Sequence, residues 1–251
     1  MQHDFTDRYI LITGAGRGLG RHAAIHLAGC GAAIGIADID DDSSFAVAAE
    51  INDAGGTAFA YGGDVASQET FEELVADFAG KCGRVDAIIN NAMILHYSPI
   101  EDVEPDRLDA MLNVGVKSLF WSAQALLRHY DPDIGACLIN TASPVAARGY
   151  PGTAAYSTIK GAVVAFTRVM AAELGPKKIR VNAVSPGSVP TPGALELNTA
   201  EVYEKRAGIN PLRRNGTEAD NSKAIAFLLS GEADYINGEI LNVDGGTSAC
   251  A

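Results

Sequence analysis

Short apolar segments alternate along the chain with longer segments of helical periodicity. Seven of the short segments have the composition of strands that are buried on both faces, as parallel strands are. They are residues 9–13, 32–38, 57–64, 86–90, 136–141, 179–186 and 239–246. Several of the segments between them end in glycine or in glycine followed by proline, which are helix stop signals. The alternation predicts one α/β domain over residues 1–251: a doubly wound fold with a seven-stranded parallel sheet and helices on both faces.

Two segments depart from this alternation. Residues 186–216 contain several prolines and glycines and have the character of a long irregular loop, with a short helix around 199–207. The helix that begins near residue 157, with the sequence STIKGAVVAFTRVMAAELG, is apolar or small on most sides. Two explanations stay open for this helix. Either a neighbouring helix of the same chain covers its second face, or a second subunit does.

Composition and charge limit the possible partners. The chain has 31 acidic and 19 basic residues, for a formal net charge of -12, which disfavours nucleic acid and anionic lipid as partners. No apolar run is long enough for a transmembrane helix, and the N-terminus has no apolar core of a signal peptide. The four cysteines are far apart and form no CxxC pair. They predict no metal site and a reducing, cytoplasmic environment.

A glycine-rich turn joins the first strand to the first helix. Its sequence, TGAGRGLG, does not fit the GxGxxG pattern but fits GxxxGxG at Gly14, Gly18 and Gly20. Glycine allows the tight turn and the close approach of a pyrophosphate, and the helix N-terminus offers free N–H groups to the anion. Such a turn alone is weak evidence, but its position between a strand and a helix favours a dinucleotide site.

Two charged residues bear on the choice of cofactor. Asp38 lies at the end of the second strand, where a carboxylate can accept hydrogen bonds from both ribose hydroxyls of an adenosine and repels a 2′-phosphate. Arg17, in the glycine turn, favours the opposite choice because it can neutralise a 2′-phosphate. Since the contact of Asp38 would be direct, we expect NAD, with NADP as the less favoured cofactor. Residues 40–42 are acidic and are expected to cap the next helix.

Ser143, Tyr156 and Lys160 have a spacing that suits carbonyl chemistry. Hydride transfer to a carbonyl produces an alkoxide that needs a proton, and a phenol of pKa ~10 exchanges protons poorly at neutral pH. Lys160 lies four residues after Tyr156, on the same helix face, where its charge can lower the phenol pKa. Ser143 follows the strand 136–141 and can hold the substrate oxygen.

These patterns occur together and in order, and the sequence resembles the short-chain dehydrogenase/reductase family over essentially its whole length. The matching motifs are TGAGRGLG, Asp64-Val65, NNAM at 90–93, Asn113, Ser143, YSTIK at 156–160, RVNAVSPG ending at Gly187, Thr191, PLRRNG and NVDGG. Each of them alone could occur by chance, but the full set at the family spacing is specific. The resemblance implies a Rossmann fold and oxidoreduction between a secondary alcohol and a ketone with a nicotinamide cofactor.

The resemblance also implies catalytic roles. Tyr156 would be the general acid/base, and Lys160 would bind the nicotinamide ribose and lower the pKa of the tyrosine. Ser143 would orient the substrate oxygen. Asn113 would hold a water that connects Lys160 to solvent.

Further matching residues are expected to bind the cofactor. The Val189 backbone and the Thr191 hydroxyl would hold the carboxamide, and Asn91 would lie beside the adenosine ribose. The expected cofactor-binding residues are Gly14, Arg17, Gly18, Leu19, Gly20, Asp38, Asp64, Val65, Asn91, Ala92, Tyr156, Lys160, Pro186, Gly187, Val189 and Thr191.

Two residues depart from the family pattern near the substrate. Met93 replaces the glycine that follows NNA, where it would crowd the cofactor cleft or line the substrate mouth. Pro144 stiffens the loop after Ser143. The expected substrate contacts are Met93, Leu95, His96, Ser143, Val145, Tyr150 and Tyr156, with residues 188–210 as a substrate-binding loop. The lining is mostly apolar, with His96 and Arg148 as polar candidates, so we expect an alcohol or ketone of modest size with a partly apolar body.

Two other functions stay open. An NADPH-dependent 3-oxoacyl-type carbonyl reductase fits the general pattern but not Asp38. A catalytically silent, cofactor-sensing protein fits the fold but not the intact Ser143, Tyr156 and Lys160. In the family, the helix that carries this tyrosine and lysine commonly packs across a subunit interface, so the resemblance implies a homotetramer or homodimer.

Overall fold

Seven parallel strands form the centre of the computed structural model, which describes residues 3–250. They are β1 Tyr9–Thr13, β2 Ala33–Asp38, β3 Thr57–Gly62, β4 Ala87–Asn90, β5 Ala136–Thr141, β6 Ile179–Pro186 and β7 Ile240–Val243. Their order is β3-β2-β1-β4-β5-β6-β7. The chain direction across the sheet reverses between β1 and β4, which is where open α/β sheets bind ligands at the carboxyl ends of their strands. Residues 1, 2 and 251, which the domain prediction included, lie outside the described residues.

Helices cover both faces of the sheet. They are α1 Gly18–Gly29, α2 Asp41–Asp53, α3 Gln68–Cys82, α4 Pro105–Leu112, α5 Ser118–His129, α6 Ala154–Leu174, α7 Pro192–Leu195, α8 Ala200–Ile209 and α9 Glu218–Leu229. Helices α1, α2 and α9 share one hydrophobic cluster with the sheet, and α3, α5 and α6 share the other. The predicted doubly wound architecture is confirmed.

The alternation of side chains along β1 shows how one strand serves two cores. Ile10 and Ile12 belong to the cluster beneath α1 and α9, whereas Leu11 belongs to the cluster beneath α3 and α5. All three side chains are at most 1% exposed. Because successive side chains point to opposite faces, a strand buried on both faces has to be apolar at every position.

Short polar signals fix where the helices begin. The Asp40 side chain caps α2 by accepting a hydrogen bond from the Ser43 backbone N–H, as the acidic run predicted. Ser67 caps α3 in the same way, and Thr217 and Asp220 form a capping box at the start of α9.

The strand predictions were right in number and direction but not in every boundary. Segments 9–13, 136–141 and 179–186 are confirmed to the residue. The prediction that all seven strands are buried on both faces was wrong for β3 and β7, which contain half-buried and exposed residues. These are the edge strands of the sheet, so each has a neighbouring strand on one side only. The predicted helix around 199–207 is confirmed as α8, and α7 precedes it.

Helix α6 is only partly covered within the chain. Phe166 packs edge-to-face against Phe120 of α5, with ring centroids 5.0 Å apart. Val169 is nevertheless 58% exposed and Phe120 is 48% exposed. The explanation in which the same chain covers the second face of α6 therefore accounts for only part of its apolar surface.

No helix within residues 3–250 has the length and apolar character needed to cross a bilayer. The four cysteines, all of which lie in this range, are free thiols. The same range contains no cluster of His, Cys, Asp or Glu that could hold a metal ion.

Candidate active site

A cleft of about 710 Å³ opens at the carboxyl ends of the strands, across the switch point. The predicted site residues that line it are Gly14, Arg17, Gly18, Leu19, Asp38, Asp64, Val65, Asn91, Ala92, Met93, Leu95, Asn113, Ser143, Tyr156, Lys160, Pro186, Gly187, Val189 and Thr191. The fold therefore brings almost every predicted cofactor and catalytic residue to one place.

The glycine turn forms one wall of the cleft, and its shape requires glycine. Gly14 and Gly18 have φ values of 62° and 57°, in the left-handed region. A Cβ on Gly14 would lie 2.7 Å from the Cα of Ala92, and a Cβ on Gly20 would meet the Gly14 carbonyl and the Asn91 amide. Gly20 thus lies behind the turn and does not line the cleft. Glycine at this position allows close packing of the helix start against the strand end.

Asn91 braces this turn. Its side-chain amide donates hydrogen bonds to the carbonyls of Thr13, at 3.1 Å, and Gly14, at 2.9 Å. The Thr13 hydroxyl in turn accepts from the backbone N–H groups of Asn91 and Ala92. These bonds lock the ends of β1 and β4 together at the floor of the cleft. Asn91 also lines the cleft, and the N–H donors of its side chain are committed to the turn.

Asp38 is fixed by two backbone donors. Its Oδ2 accepts from the Gly16 N–H at 2.8 Å, and its Oδ1 accepts from the Asp40 N–H at 3.1 Å. The carboxylate is half-buried and lines the cleft. Because each carboxylate oxygen has further lone pairs, Asp38 can still accept hydrogen bonds from a ligand.

Arg17 and Glu196 close the same side of the mouth. Arg17 Nη1 lies 2.9 Å from Glu196 Oε1, with side chains 64% and 63% exposed. Glu196 therefore neutralises the cation that the sequence offered to a 2′-phosphate. This pairing could not be predicted from spacing, because the two residues are 179 positions apart.

The chemical end of the cleft contains a buried lysine. Lys160 is 4% exposed, and its Nζ donates to the Thr141 carbonyl at 2.7 Å. Burial lowers the pKa of Lys160 to about 8. Its Nζ lies 5.6 Å from the centroid of the Tyr156 ring, one turn earlier on α6.

In the chain without a bound cofactor or substrate, the surroundings of Tyr156 favour the neutral phenol. Burial raises the pKa of Tyr156 well above its usual value, the phenol of Tyr97 raises it further, and a hydrogen bond with Ser143 lowers it. Burial thus outweighs the lowering that we expected from Lys160. The hydrogen bond places Ser143 and Tyr156 on a common point where a substrate oxygen can sit.

Asn113 occupies a distorted stretch of helix. Residues Asn113–Lys117 form a π-helical turn between α4 and α5, in which the Ser118 N–H donates to the Asn113 carbonyl. Such turns recur at functional sites because they redirect backbone groups and side chains. Asn113 lines the cleft, as do Val114 and Lys160.

Met93 lines the cleft without filling it. Its thioether lies against the π-helical turn, since a Cβ built on Gly115 would be 2.9 Å from Met93 Sδ and 2.5 Å from Ile159 Cγ2. Gly115 therefore makes room for the side chain that replaces the family's glycine. Met93 therefore borders the cleft with its side chain packed against the π-helical turn.

Three predicted substrate residues do not line the cleft: His96, Val145 and Tyr150. Val145 belongs to a short 3-10 turn, Pro144–Ala146. Its backbone N–H donates a hydrogen bond to Ser143 Oγ. Tyr150 is 44% exposed. Arg148 is not on the wall either; it donates to the Ser248 carbonyl. Val145 and Tyr150 follow Ser143 closely in the sequence, but the turn after Ser143 leads the chain away from the cleft.

Four polar residues also line the substrate side of the cleft: Tyr97, Asn198, Tyr203 and Arg206. The last three lie within the predicted substrate-binding loop 188–210 but were not singled out, and Tyr97 was missed. Tyr97 packs edge-to-face on Tyr156, with centroids 5.6 Å apart. The guanidinium of Arg206 lies over the Tyr203 ring, 5.4 Å from its centroid. One signal was present in the sequence: the spacing of Tyr203 and Arg206 puts both on one face of the predicted short helix.

The amino-acid sequence is similar to those of known oxidoreductases. A family model described as Enoyl-(Acyl carrier protein) reductase matches residues 14–248. A cyclopentanol dehydrogenase of Comamonas sp. is 34% identical over 97% of this chain and 98% of its own length.

Solved structures give the same result. A 7α-hydroxysteroid dehydrogenase, complexed with NADH and 7-oxo glycochenodeoxycholic acid, has a TM-score of 0.93 at 32% identity and covers 97% of this chain and 95% of its own. A short-chain dehydrogenase of Burkholderia cenocepacia, in complex with NADP, has a TM-score of 0.90 at 31% identity, over 98% of this chain and all of its own. The chain belongs to the short-chain dehydrogenase/reductase family, whose members are oxidoreductases that act on alcohol and carbonyl groups with a nicotinamide cofactor.

Proposed function

We propose that the protein is an NAD-dependent dehydrogenase that interconverts a secondary alcohol and a ketone. The observation that carries this proposal is the arrangement of Ser143, Tyr156 and Lys160 at one end of a cleft whose other end presents Asp38. The first group suits proton exchange at an alcohol oxygen, and the second suits an unphosphorylated ribose.

The residues present fit a dinucleotide. Gly14 and Gly18 line the cleft without side chains, which leaves room beside the turn for a pyrophosphate. Glycine at position 16 lets the turn pack against Asp38, since a Cβ there would lie 2.9 Å from Asp38 Oδ2. At the other end, Ser188 Oγ is buried, has no hydrogen-bond partner and lies between Gly187 and Val189. Such an orphaned polar atom is what a carboxamide-binding segment presents before its ligand arrives. NAD would supply the hydride acceptor, and Val189 and Thr191 would hold its carboxamide.

The proposed proton path uses three side chains. Ser143 holds the substrate oxygen, and Tyr156 takes its proton during oxidation or returns it during reduction. The ammonium of Lys160 stabilises the phenolate that forms, which offsets the effect of burial on the phenol. Asn113, in the π-helical turn, is proposed to hold a water that connects Lys160 to solvent.

The choice of NAD over NADP rests on charge. Asp38 is held facing the cleft, and the cation that could offset it, Arg17, is paired with Glu196. The Asp38 carboxylate would therefore repel a 2′-phosphate, which carries charge of the same sign. The competing NADPH-dependent 3-oxoacyl-type reductase would require Arg17 to leave Glu196 and turn to the cofactor.

Turnover by a Tyr156→Phe variant tests the chemistry. We expect kcat for oxidation of a simple secondary alcohol such as cyclopentanol to fall by at least about a thousandfold, because a general acid/base is removed. NADH affinity should change by less than about threefold, since the phenyl ring keeps its packing on Tyr97. Retained turnover would disprove the assignment of Tyr156, and absence of any turnover in the unmodified protein would favour the silent, cofactor-sensing alternative.

We also propose that the protein is a cytoplasmic homotetramer or homodimer, with α5 and α6 at the interface. The exposed apolar side chains of Phe120 and Val169 support this, because a second subunit would bury them. Light scattering after size-exclusion chromatography measures the mass, and a monomer would contradict the proposal. Residues 188–210 are proposed to close over a substrate with a partly apolar body.

A further inference from the structure

The charged residues that line the cleft are unevenly distributed. Asp38 and Asp64 lie at the adenosine end, and Arg17 is paired with Glu196 at the mouth. At the substrate end the charged residues are two cations, Lys160 and Arg206. The chain has a net charge of -12, which disfavours the binding of anions over most of its surface. The two cations make the substrate end of the cleft an exception.

Arg206 has no acidic partner within residues 3–250, where every Lys, Arg or His ion pair involves other residues. Its polar contacts are neutral. Nη2 donates to Asn198 Oδ1 at 3.3 Å, and a hydrogen bond reaches the Tyr203 phenol. Arg206 is half-buried and has five N–H donors, so donors remain for a ligand in the cleft.

Two phenols connect Arg206 to the reacting centre. Tyr97 packs against the Tyr156 ring. Burial raises the pKa of Tyr97, and the nearby charge of Arg206 lowers it in part, so Arg206 lies close to this phenol. Tyr203 is 5% exposed and lies under the Arg206 guanidinium. A substrate whose oxygen is held by Ser143 and Tyr156 would therefore extend past Tyr97 towards Tyr203 and Arg206.

We propose that Arg206, with Tyr97 and Tyr203, forms a subsite for a carboxylate on the substrate, so that the protein acts on an oxo or hydroxy carboxylic acid. The acid group lies at the opposite end of the molecule from the reacting carbon, separated from it by a ring or a short apolar chain. This proposal rests on the proposed dehydrogenase function and adds a substrate class to it. The guanidinium is suited to a carboxylate because it forms two parallel charge-assisted hydrogen bonds.

A pair of ketones that differ only in charge tests the subsite. We would compare kcat/KM for reduction of 4-oxocyclohexanecarboxylate and of its neutral isostere, 4-oxocyclohexanecarboxamide, with NADH. The carboxylate is expected to be preferred by about tenfold or more. In Arg206→Met the preference should disappear, and in Arg206→Lys part of it should remain, since the charge is kept and the bidentate geometry is lost.

Lys205→Met is the matched control. Lys205 is exposed on the same helix and does not line the cleft, so this variant loses the same charge without touching the subsite. It should keep the preference for the carboxylate. A loss of the preference in Lys205→Met as well as in Arg206→Met would show a general charge effect and overturn the subsite.

Two further results separate the possible failures. If the unmodified protein reduces both ketones equally, or if Arg206→Met lowers both rates by one factor, Arg206 only supports the loop through Asn198 and the subsite is wrong while the dehydrogenase stands. If neither ketone is reduced and no secondary alcohol such as cyclopentanol is oxidised, the proposed function has failed. Calorimetric titration of both ketones into the protein with NADH then decides the subsite: tighter binding of the carboxylate supports it, and equal binding overturns it.

Discussion

The two ends of the cleft are built by different means. At the adenosine end, the backbone determines the shape of the cleft. Gly14 and Gly18 adopt left-handed φ values, and backbone N–H groups hold Asp38 in place. At the substrate end, side chains from separate segments meet, namely Tyr97, Tyr156 and Arg206. The first design tolerates little change because it depends on close backbone packing. The second can be altered one side chain at a time, so specificity can change there without loss of the fold.

The substrate end should show the largest effect of a single change on activity. Lys160→Met is expected to lower kcat by about a thousandfold, since the charge that supports the Tyr156 phenolate is lost. The same change should raise the free energy of unfolding by about 1 kcal/mol at pH 7, because a buried ammonium is replaced by an apolar chain of similar shape. Steady-state kinetics and urea unfolding measure the two quantities.

The pH dependence of that gain has a defined sign. Burial lowers the pKa of Lys160 to about 8, whereas an unfolded lysine titrates near 10.4. Between these values the unfolded chain binds more protons, so the stability of the unmodified protein rises with pH. The advantage of Lys160→Met should therefore shrink as pH increases from 8 to 10. An advantage that grows over this range would contradict the assigned burial cost.

The adenosine end should show the largest effect on stability. Gly14→Ala forces a left-handed φ of 62° on alanine and puts its Cβ 2.7 Å from Ala92 Cα, so we expect a loss of about 3 kcal/mol in the free energy of unfolding. Gly29→Ala is the control, since a Cβ there meets nothing within 4 Å and lies in the last turn of α1. It should be neutral or slightly stabilising. Similar losses in both variants would show that packing at Gly14 is not special.

Cofactor preference is expected to respond to a change at Asp38. Asp38→Asn removes the charge that faces the ribose, so the ratio of the NADPH and NADH dissociation constants should fall by about tenfold. Asp42→Asn is the control, because Asp42 is an exposed residue of the same acidic run that does not line the cleft. An unchanged ratio in Asp38→Asn would remove Asp38 as the determinant.

The smallest effect is expected at the mouth. Glu196→Gln breaks an ion pair whose two side chains are about two-thirds exposed, so the free energy of unfolding should change by less than about 0.5 kcal/mol. Affinity for NADPH should increase by a few fold, since Arg17 is released. A thermal denaturation scan and a binding titration would check both values, and a large loss of stability would be unexpected.

The same contrast explains what could be predicted from sequence. The glycine turn, Asp38 and the Tyr156–Lys160 pair are encoded at short, fixed spacings on a strand end or a helix face, where local geometry determines the outcome. The seven parallel strands followed from apolar segments of strand length. The exposure of β3 and β7 did not, because a strand's place at the sheet edge depends on the order of the whole sheet.

The substrate end could not be predicted in the same way. Tyr97 and Arg206 belong to segments that meet only after the sheet has formed, and no spacing rule connects them. Proximity to Ser143 and to the NNAM segment suggested Val145, Tyr150 and His96 instead. The 3-10 turn Pro144–Ala146 leads Val145 and Tyr150 away from the cleft, whereas His96 lies between two residues that do line it. The pairing of Arg17 with Glu196 was invisible for the same reason.

Fluorescence titration of the purified protein with NADH and, separately, with NADPH tests the central claim most directly. Asp38 is held by the backbone N–H groups of Gly16 and Asp40, and the neighbouring cation, Arg17, is paired with Glu196. We therefore expect NADH to bind at least about tenfold more tightly than NADPH. Equal or tighter binding of NADPH would contradict the NAD-dependent assignment and favour the biosynthetic reductase. Binding of neither would contradict the dehydrogenase itself.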